Sequence, residues 1–165
     1  KNPAIDPRFL FVNLGFNFRP TELQGAFGKH QIRKLDNFIK IRRENAKYWN
    51  ERLSKYSEYV IMPKKNLDNH VFFGYAITIK ENASFSRNDF VKFLESKGIE
   101  TRPIMAGNFV QQPVSNLFEW KKADRLSNSE LIMKNSFFIG NHHKIGEVER
   151  QYVADQLETF LKENI

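Results

Sequence analysis

A regular stripe of apolar residues runs through the first third of the chain. Its members recur at spacings of three, four and seven: Leu35, Ile39, Ala46, Trp49, Leu53 and Tyr56. This spacing is typical of the buried face of an amphipathic helix. Pro20 suits a first helical turn, and Thr21 with Gln24 resembles a capping box. We therefore predict one long helix over residues 21–56.

Two glycines interrupt the start of this predicted helix. Gly25 and Gly28 each weaken a helix by up to about 1 kcal/mol relative to alanine. We expect these glycines either to allow close approach by another backbone or to kink the helix. The alternative to one long helix is two helices that join near His30. At ~1.5 Å per residue, a single helix would reach ~45 Å or more, longer than a compact domain of this size. It would therefore connect to another part of the protein. Residues 1–14 show no initiator Met or helix cap, so we expect the chain to begin in the middle of a longer protein.

The remaining pattern alternates between strand-like and helix-like segments. Runs rich in aromatic and β-branched residues predict three strands, at 70–80, 99–105 and 136–140. Between them we predict a helix that begins after Ser86 and ends at Gly98, a loop over 106–113 and a short helix over 124–134. A terminal helix is predicted to carry one apolar face: Val148, Tyr152, Leu157 and Leu161. This order favours an α/β or α+β fold, with a small sheet covered by helices on one side.

Composition narrows the class of protein. Hydrophobic residues make up 41% of the 165 residues and cysteine is absent, which excludes a disordered chain, disulfides and thiolate metal sites. No apolar run approaches the ~20 residues that span a bilayer, and we expect a cytoplasmic protein without membrane contact. The net charge of +7 invites a nucleic-acid hypothesis. Nucleic-acid binding is disfavoured, because no zinc-ligand set or RNA-binding aromatic signature accompanies the charge.

Four groups of residues are candidates for chemistry. Asn17 and Arg19 could form a clamp for phosphate or carboxylate, or Asn17 could close a turn and Arg19 pair with a carboxylate. Arg102 is either an edge charge that protects a strand or a group that faces an anionic ligand. The third group is the loop that contains Asn108, whose glycine and proline speak against regular structure.

The fourth group is the pair His142 and His143. Adjacent side chains point in different directions on a strand or a helix, so the pair is poorly arranged to chelate a metal. General acid–base work or hydrogen bonding by one of them is the better hypothesis, and we take His142 as the candidate. We predict no metal site.

The run from Gly15 to Leu53, GFNFRPTELQGAFGKHQIRKLDNFIKIRRENAKYWNERL, closely resembles a segment of the DegT/DnrJ/StrS family of sugar aminotransferases. Its members carry a Gly-Tyr-Asn-Tyr-Arg-like motif, and here Phe16 and Phe18 stand at the tyrosine positions. The stretch LESKGIETRPI at 94–104 is similar to the family's short helix and Thr-Arg strand. Residues 137–157 are similar to its last strand and terminal helix, so the resemblance extends from Arg8 onward.

The resemblance implies the C-terminal small domain of a fold type I pyridoxal-phosphate-dependent transferase. Such a domain has a small, mainly antiparallel sheet covered by helices and preceded by a long connecting helix. It implies three regions here: a segment at 1–20 that contributes to the cofactor and dimer interface, the connecting helix at 21–56, and the small domain at 57–165.

The resemblance also implies residue roles. Asn17 would bind the phosphate of pyridoxal 5'-phosphate in the other subunit of a homodimer, and Arg19 would lie near the sugar nucleotide or that phosphate. Arg102, Asn108 and His142 would line the substrate side. The family's aldimine lysine lies upstream of the motif, so no catalytic residue is assigned. We expect these 165 residues alone to be inactive and to bind no cofactor.

The leading functional expectation is an aminotransferase for 4-keto-6-deoxy nucleotide sugars in O-antigen biosynthesis, with glutamate as amino donor. The loop AGNFVQQP at 106–113 resembles that of family members that act on 4-keto-6-deoxy sugar nucleotides. These members include 3-dehydratases, which use pyridoxamine phosphate and have histidine in place of the aldimine lysine, and the loop does not separate them from ordinary aminotransferases. A 3-dehydratase is therefore the alternative within the family. A regulatory or basic nucleic-acid-binding domain is the alternative from another class.

Overall fold

A computed structural model describes residues 15–16, 18–63, 69–105, 107–117, 119–121 and 124–165. The chain divides between Leu35 and Asp36 into two compact units. The first contains helix α1 (Glu22–Ile32). The helices of the second are α2 (Leu35–Leu53), α3 (Arg87–Ser96), α4 (Ser127–Asn135) and α5 (Glu147–Asn164). Its strands are β1 (Val60–Ile61), β2 (Gly74–Ile79), β3 (Thr101–Pro103) and β4 (Ser136–Gly140).

Two helices stand where the sequence pattern predicted one. Between α1 and α2 a tight turn is closed by a hydrogen bond of 3.0 Å from the Lys34 N–H to the Gln31 carbonyl. Helix α1, which the structure describes throughout, buries none of its residues, whereas α2 buries Ala46, Trp49 and Leu53. The apolar stripe begins at Leu35, so it specifies α2 and gives α1 no buried face. The break lies close to the alternative joint near His30.

The four strands form one antiparallel sheet in the order β1-β2-β4-β3. In this register Tyr75 lies opposite Ile139, and Arg102 opposite Phe138. Strand β1 was not predicted, because two residues are too short to show an alternating pattern. The 136–140 strand is confirmed, and the strands predicted at 70–80 and 99–105 are confirmed with narrower bounds. The predicted loop from 106 includes two short 3₁₀ turns, at Phe109–Gln111 and Pro113–Leu117.

The core lies on one face of the sheet. Alternate residues of β2 are buried there, and Phe137 and Ile139 of β4 join them. Helices α2, α3 and α5 contribute the other buried side chains, which include Trp49, Leu53, Phe90, Leu94, Leu157, Phe160 and Leu161. The prediction of a sheet covered by helices on one side is therefore confirmed. On the opposite face, Ala76, Phe138 and Arg102 remain partly or fully exposed.

Helix α3 begins and ends where the sequence predicts. The Ser86 hydroxyl accepts a hydrogen bond from the Asp89 N–H, and the Asp89 carboxylate accepts one from the Ser86 N–H, which completes a capping box. Gly98 follows the helix with φ of +77°, a backbone conformation that glycine adopts without steric cost.

The predicted apolar face of α5 is wrong in its first half. Leu157 and Leu161 are buried, but Val148 is 77% exposed and Tyr152 is 45% exposed. Val148 and Leu157 are nine residues apart, which is two and a half turns at 3.6 residues per turn, so they point to opposite sides of the helix. The buried face is completed by Ala154 and Phe160.

Candidate functional site

An open groove of about 1330 Å³ follows the edge strand β3. Its lining includes Gly107, Met133, Ile145 and Tyr152. Most of the lining is apolar, which is typical of small-molecule sites that use a few polar groups to fix orientation. This groove is wide enough to hold a small-molecule ligand.

Arg102 is the predicted site residue that lines this groove. Its side chain is 66% exposed and forms an ion pair with Glu100. Glu100 and Arg102 are two residues apart on an extended segment, so they project to the same side, while Thr101 between them is buried. Arg102 is thus an edge-strand charge that also faces the groove, and both alternatives for it remain open.

Asn108 does not present its side chain to the groove. It is 2% exposed, and its buried Nδ2 has no hydrogen-bond partner among the described residues. The Asn108 carbonyl accepts a hydrogen bond from Gln111, and the preceding Gly107 has φ of +54° and packs against Met133. In this conformation the Asn108 side chain is buried in the loop and is not part of the groove lining.

The two histidines differ in their surroundings. His142 is exposed, and its Nδ1 accepts a hydrogen bond of 3.2 Å from the Lys144 N–H. The His143 ring stacks on Phe38, with 3.7 Å between centroids, and lies 3.9 Å from the His142 ring. The two rings thus lie side by side and do not point in different directions, and the expectation that the pair holds no metal stays a prediction. No group of three or more His, Asp or Glu residues suited to a metal ion occurs in the part of the chain that the structure describes.

The sheet register keeps Asn108 and His142 apart. Pro103 lies opposite Phe137 near the start of β4, and the Asn108 loop continues beyond that end. His142 comes after Gly140, at the other end of β4. At ~3.3 Å per residue, the distance along the strand from Phe137 to His142 is more than ~10 Å. The structure therefore does not bring the three predicted substrate-side residues together in one cluster.

The remaining predicted residues belong to the first unit. Asn17 lies outside the described residues, as does most of the 1–20 segment. Arg19 is exposed, and the rings of Phe16 and Phe18 stack on each other with 5.6 Å between centroids.

A family model for the DegT/DnrJ/EryC1/StrS aminotransferases matches residues 2–158. The chain belongs to this family. Its sequence is 37% identical over 160 residues to the GDP-4-keto-6-deoxy-D-mannose 3-dehydratase of Escherichia coli O55:H7, which covers 96% of this chain and 39% of that protein. It is 29% identical over 164 residues to the GDP-perosamine synthase of Caulobacter vibrioides, covering 98% of this chain and 43% of that protein.

The fold of this family member agrees with solved structures. The E. coli GDP-4-keto-6-deoxy-D-mannose-3-dehydratase with bound hydrated PLP matches with a TM-score of 0.81 and 34% identity, over 91% of this chain and 38% of that chain. The predicted fold class, the small domain of a fold type I PLP-dependent enzyme, is therefore confirmed. The chain spans less than half the length of the curated relatives it matches.

The groove of this DegT/DnrJ/EryC1/StrS member does not carry the lysine that would link pyridoxal phosphate to the protein. The charged residues that line the groove are Arg87, Glu100, Arg102 and Glu149, and no lysine is among them. Arg87 donates to the Met133 carbonyl, and Glu149 accepts from the Gly146 N–H, so both have structural partners. No group that lines the groove could form the covalent link to the cofactor.

Sequence reasoning missed two features around this site. Asn141 is buried and donates to the carbonyls of Arg42 and Phe72, which ties β4 to α2. Phe138 lines the groove beside Arg102. The pair Phe137-Phe138 could have revealed it, because adjacent strand residues face opposite sides of a sheet. In contrast, no sequence pattern marks Asn141 as an anchor.

Across the described residues, no helix has the length and apolar character needed to span a membrane.

Proposed function

We propose that this chain is the C-terminal domain of a PLP-dependent enzyme that acts on a 4-keto-6-deoxy nucleotide sugar. The observation that carries the proposal is 37% identity along 96% of the chain to a GDP-4-keto-6-deoxy-D-mannose 3-dehydratase. PLP-type cofactors supply carbanion stabilisation, while the protein binds and orients the reactants. On the same basis we propose a cytoplasmic homodimer that serves surface polysaccharide biosynthesis.

The 3-dehydratase reaction is favoured over transamination. Identity to the 3-dehydratase is 37%, against 29% to GDP-perosamine synthase, whose named product is an amino sugar. Transamination, with glutamate as donor, is the second candidate because both relatives match nearly the whole chain.

The residue roles in this proposal differ in how well they are supported. Asn17 is assigned to the cofactor phosphate of the other subunit and Arg19 to the adjacent phosphate or sugar nucleotide, both on the family resemblance. Arg102 is assigned to the substrate side, supported by its exposed position on the groove. Asn108 and His142 keep the same assignment with less support, since one is buried and the other lies at the far end of the sheet.

The test uses the full protein that carries this domain, incubated with PLP, glutamate and GDP-4-keto-6-deoxymannose. We expect the sugar product, analysed by mass spectrometry, to have lost one oxygen atom while glutamate becomes 2-oxoglutarate and ammonia is released. A product in which an amino group replaces the keto oxygen would support the transaminase instead. A protein that consumes neither glutamate nor the nucleotide sugar would contradict the proposed function.

A further inference from the structure

Gly74 has no room for a side chain. A Cβ atom at this position would lie 2.4 Å from a ring carbon of Phe138, far closer than van der Waals contact. The Phe138 ring therefore rests directly on the backbone of β2, on the face of the sheet opposite the core. Gly140 lies directly across from Gly74, yet a Cβ there would meet nothing within 4 Å. The close contact is specific to Gly74.

Phe138 and Arg102 are neighbours on this exposed face. They are register partners on β4 and β3, and such partners have Cβ atoms about 4.5–5.5 Å apart. Glu100 projects to the same side and holds the Arg102 guanidinium in an ion pair. All three side chains line the groove, so an aromatic ring lies beside a donor group and an acceptor group.

The charges of the groove indicate which part of a ligand this face would bind. Two arginines and two glutamates line it, so its charged side chains sum to zero. A diphosphate would favour an excess of positive charge. A sugar ring is neutral, has an apolar face of C–H groups, and carries hydroxyl and keto oxygens that need both donors and acceptors. The combination of Phe138, Arg102 and Glu100 fits the sugar better than the diphosphate.

We propose that Phe138, Arg102 and Glu100 form a recognition face for the hexose of the nucleotide sugar. The Phe138 ring packs against the apolar face of the sugar, and the Arg102–Glu100 pair hydrogen-bonds its oxygens. Gly74 is a positioning residue, because it lets the Phe138 ring lie flat on β2. This inference rests on the proposed function and adds which residues recognise the sugar.

The first test compares two ligands that differ only by the sugar. Binding of GDP-4-keto-6-deoxymannose and of GDP to the full protein is measured by calorimetry without an amino donor. We expect Phe138→Ala to weaken binding of the nucleotide sugar about tenfold and to leave GDP binding unchanged. Phe138→Tyr keeps the ring and should retain most of the affinity. Equal losses for both ligands, or no loss for either, would overturn the recognition face.

The second test separates positioning from direct contact. Gly74→Ala is expected to displace the Phe138 ring and to weaken nucleotide-sugar binding as much as Phe138→Ala does. In the double variant Gly74→Ala/Phe138→Ala the effects should not add, because the ring that Gly74 positions is already gone. Additive losses would contradict the positioning role. Urea denaturation of Gly74→Ala checks that this variant stays folded.

The outcomes also distinguish this inference from the proposed function. A wild-type protein that binds no nucleotide sugar would contradict both. A wild-type protein that binds and converts the nucleotide sugar, with Phe138→Ala unchanged in affinity, would overturn the recognition face alone.

Discussion

Glu158 is a buried carboxylate that joins α2 to α5. Its side chain is 7% exposed, and its oxygens accept hydrogen bonds from Arg52 Nε at 2.7 Å and from Lys55 Nζ at 3.2 Å. The Arg52 guanidinium also donates to Asp155 and to the Tyr48 hydroxyl. Burial alone would raise the pKa of Glu158, but the hydrogen bonds and charges of Arg52 and Lys55 outweigh it and lower the pKa below its ordinary value.

This lowered pKa predicts how stability depends on pH. Because the Glu158 pKa is lower in the folded than in the unfolded state, its stabilisation is fully present above the ordinary value of 4.5. That stabilisation is lost as the pH falls through the lower pKa of the folded state. We expect Glu158→Gln to reduce the free energy of unfolding by about 1.5 kcal/mol at neutral pH. The deficit should shrink in more acidic solution, as measured by urea denaturation at several pH values.

The matched control for this prediction is Glu44→Gln. Glu44 pairs with Lys40 at 3.9 Å on the exposed surface of α2. Exposed pairs of this kind contribute about 0.3–0.5 kcal/mol. Equal losses for the two variants would show that the buried position of Glu158 does not matter.

The end of α3 is governed by one backbone conformation. Gly98 has φ of +77°, and the next N–H, that of Ile99, donates to the Leu94 carbonyl at 3.0 Å. A Cβ at Gly98 would meet no atom within 4 Å, so the cost of a side chain there is one of backbone conformation and not of packing.

We therefore expect Gly98→Ala to lower the free energy of unfolding by about 1 kcal/mol, as measured by thermal and urea denaturation. The matched control is Gly28→Ala in α1, where the space around the added methyl group is equally open and the backbone is helical. Alanine favours a helix by up to about 1 kcal/mol over glycine, so this control should not destabilise the protein. A Gly98→Ala variant as stable as the wild type would refute the explanation from backbone conformation.

Helices and strands were predicted well where a cap or an apolar run of a few residues defines them. Ser86 and Gly98 mark both ends of α3, and the aromatic and β-branched run in SFFIG marks β4. The predicted α5 face is wrong because Val148 and Leu157 are nine residues apart, which places them on opposite sides of the helix. The join between α1 and α2 is not encoded in a local signal, because the glycines weaken a helix without specifying where it ends.

The candidate site was less predictable than the fold, because it depends on the pairing of distant strands. Arg102 could be named from its motif. That Phe138 lies beside Arg102 is known only from the register of β3 with β4. Likewise, the close contact of Gly74 with Phe138 joins residues on two strands far apart in sequence. Burial of Asn108 in its loop is also a tertiary effect that no local pattern encodes.

The cofactor defines the last prediction. The family resemblance implies pyridoxal phosphate, yet the described groove is lined by no lysine, and the chain matches 39% of the length of its 3-dehydratase relative. Surface lysines are numerous, with 26 Lys and Arg residues in total, and they react with the aldehyde of PLP without selectivity. A specific site is distinguished by reaction at one position only.

We propose that these 165 residues hold no specific PLP site and expect no absorbance band of a protein-linked aldimine at equimolar cofactor. After borohydride reduction, peptide mass spectrometry should find low-level modification spread over several lysines. The matched control is a lysine-rich protein that has no cofactor, treated in the same way. Stoichiometric modification of a single lysine would contradict the prediction, and it would place the covalent chemistry of the family within this domain.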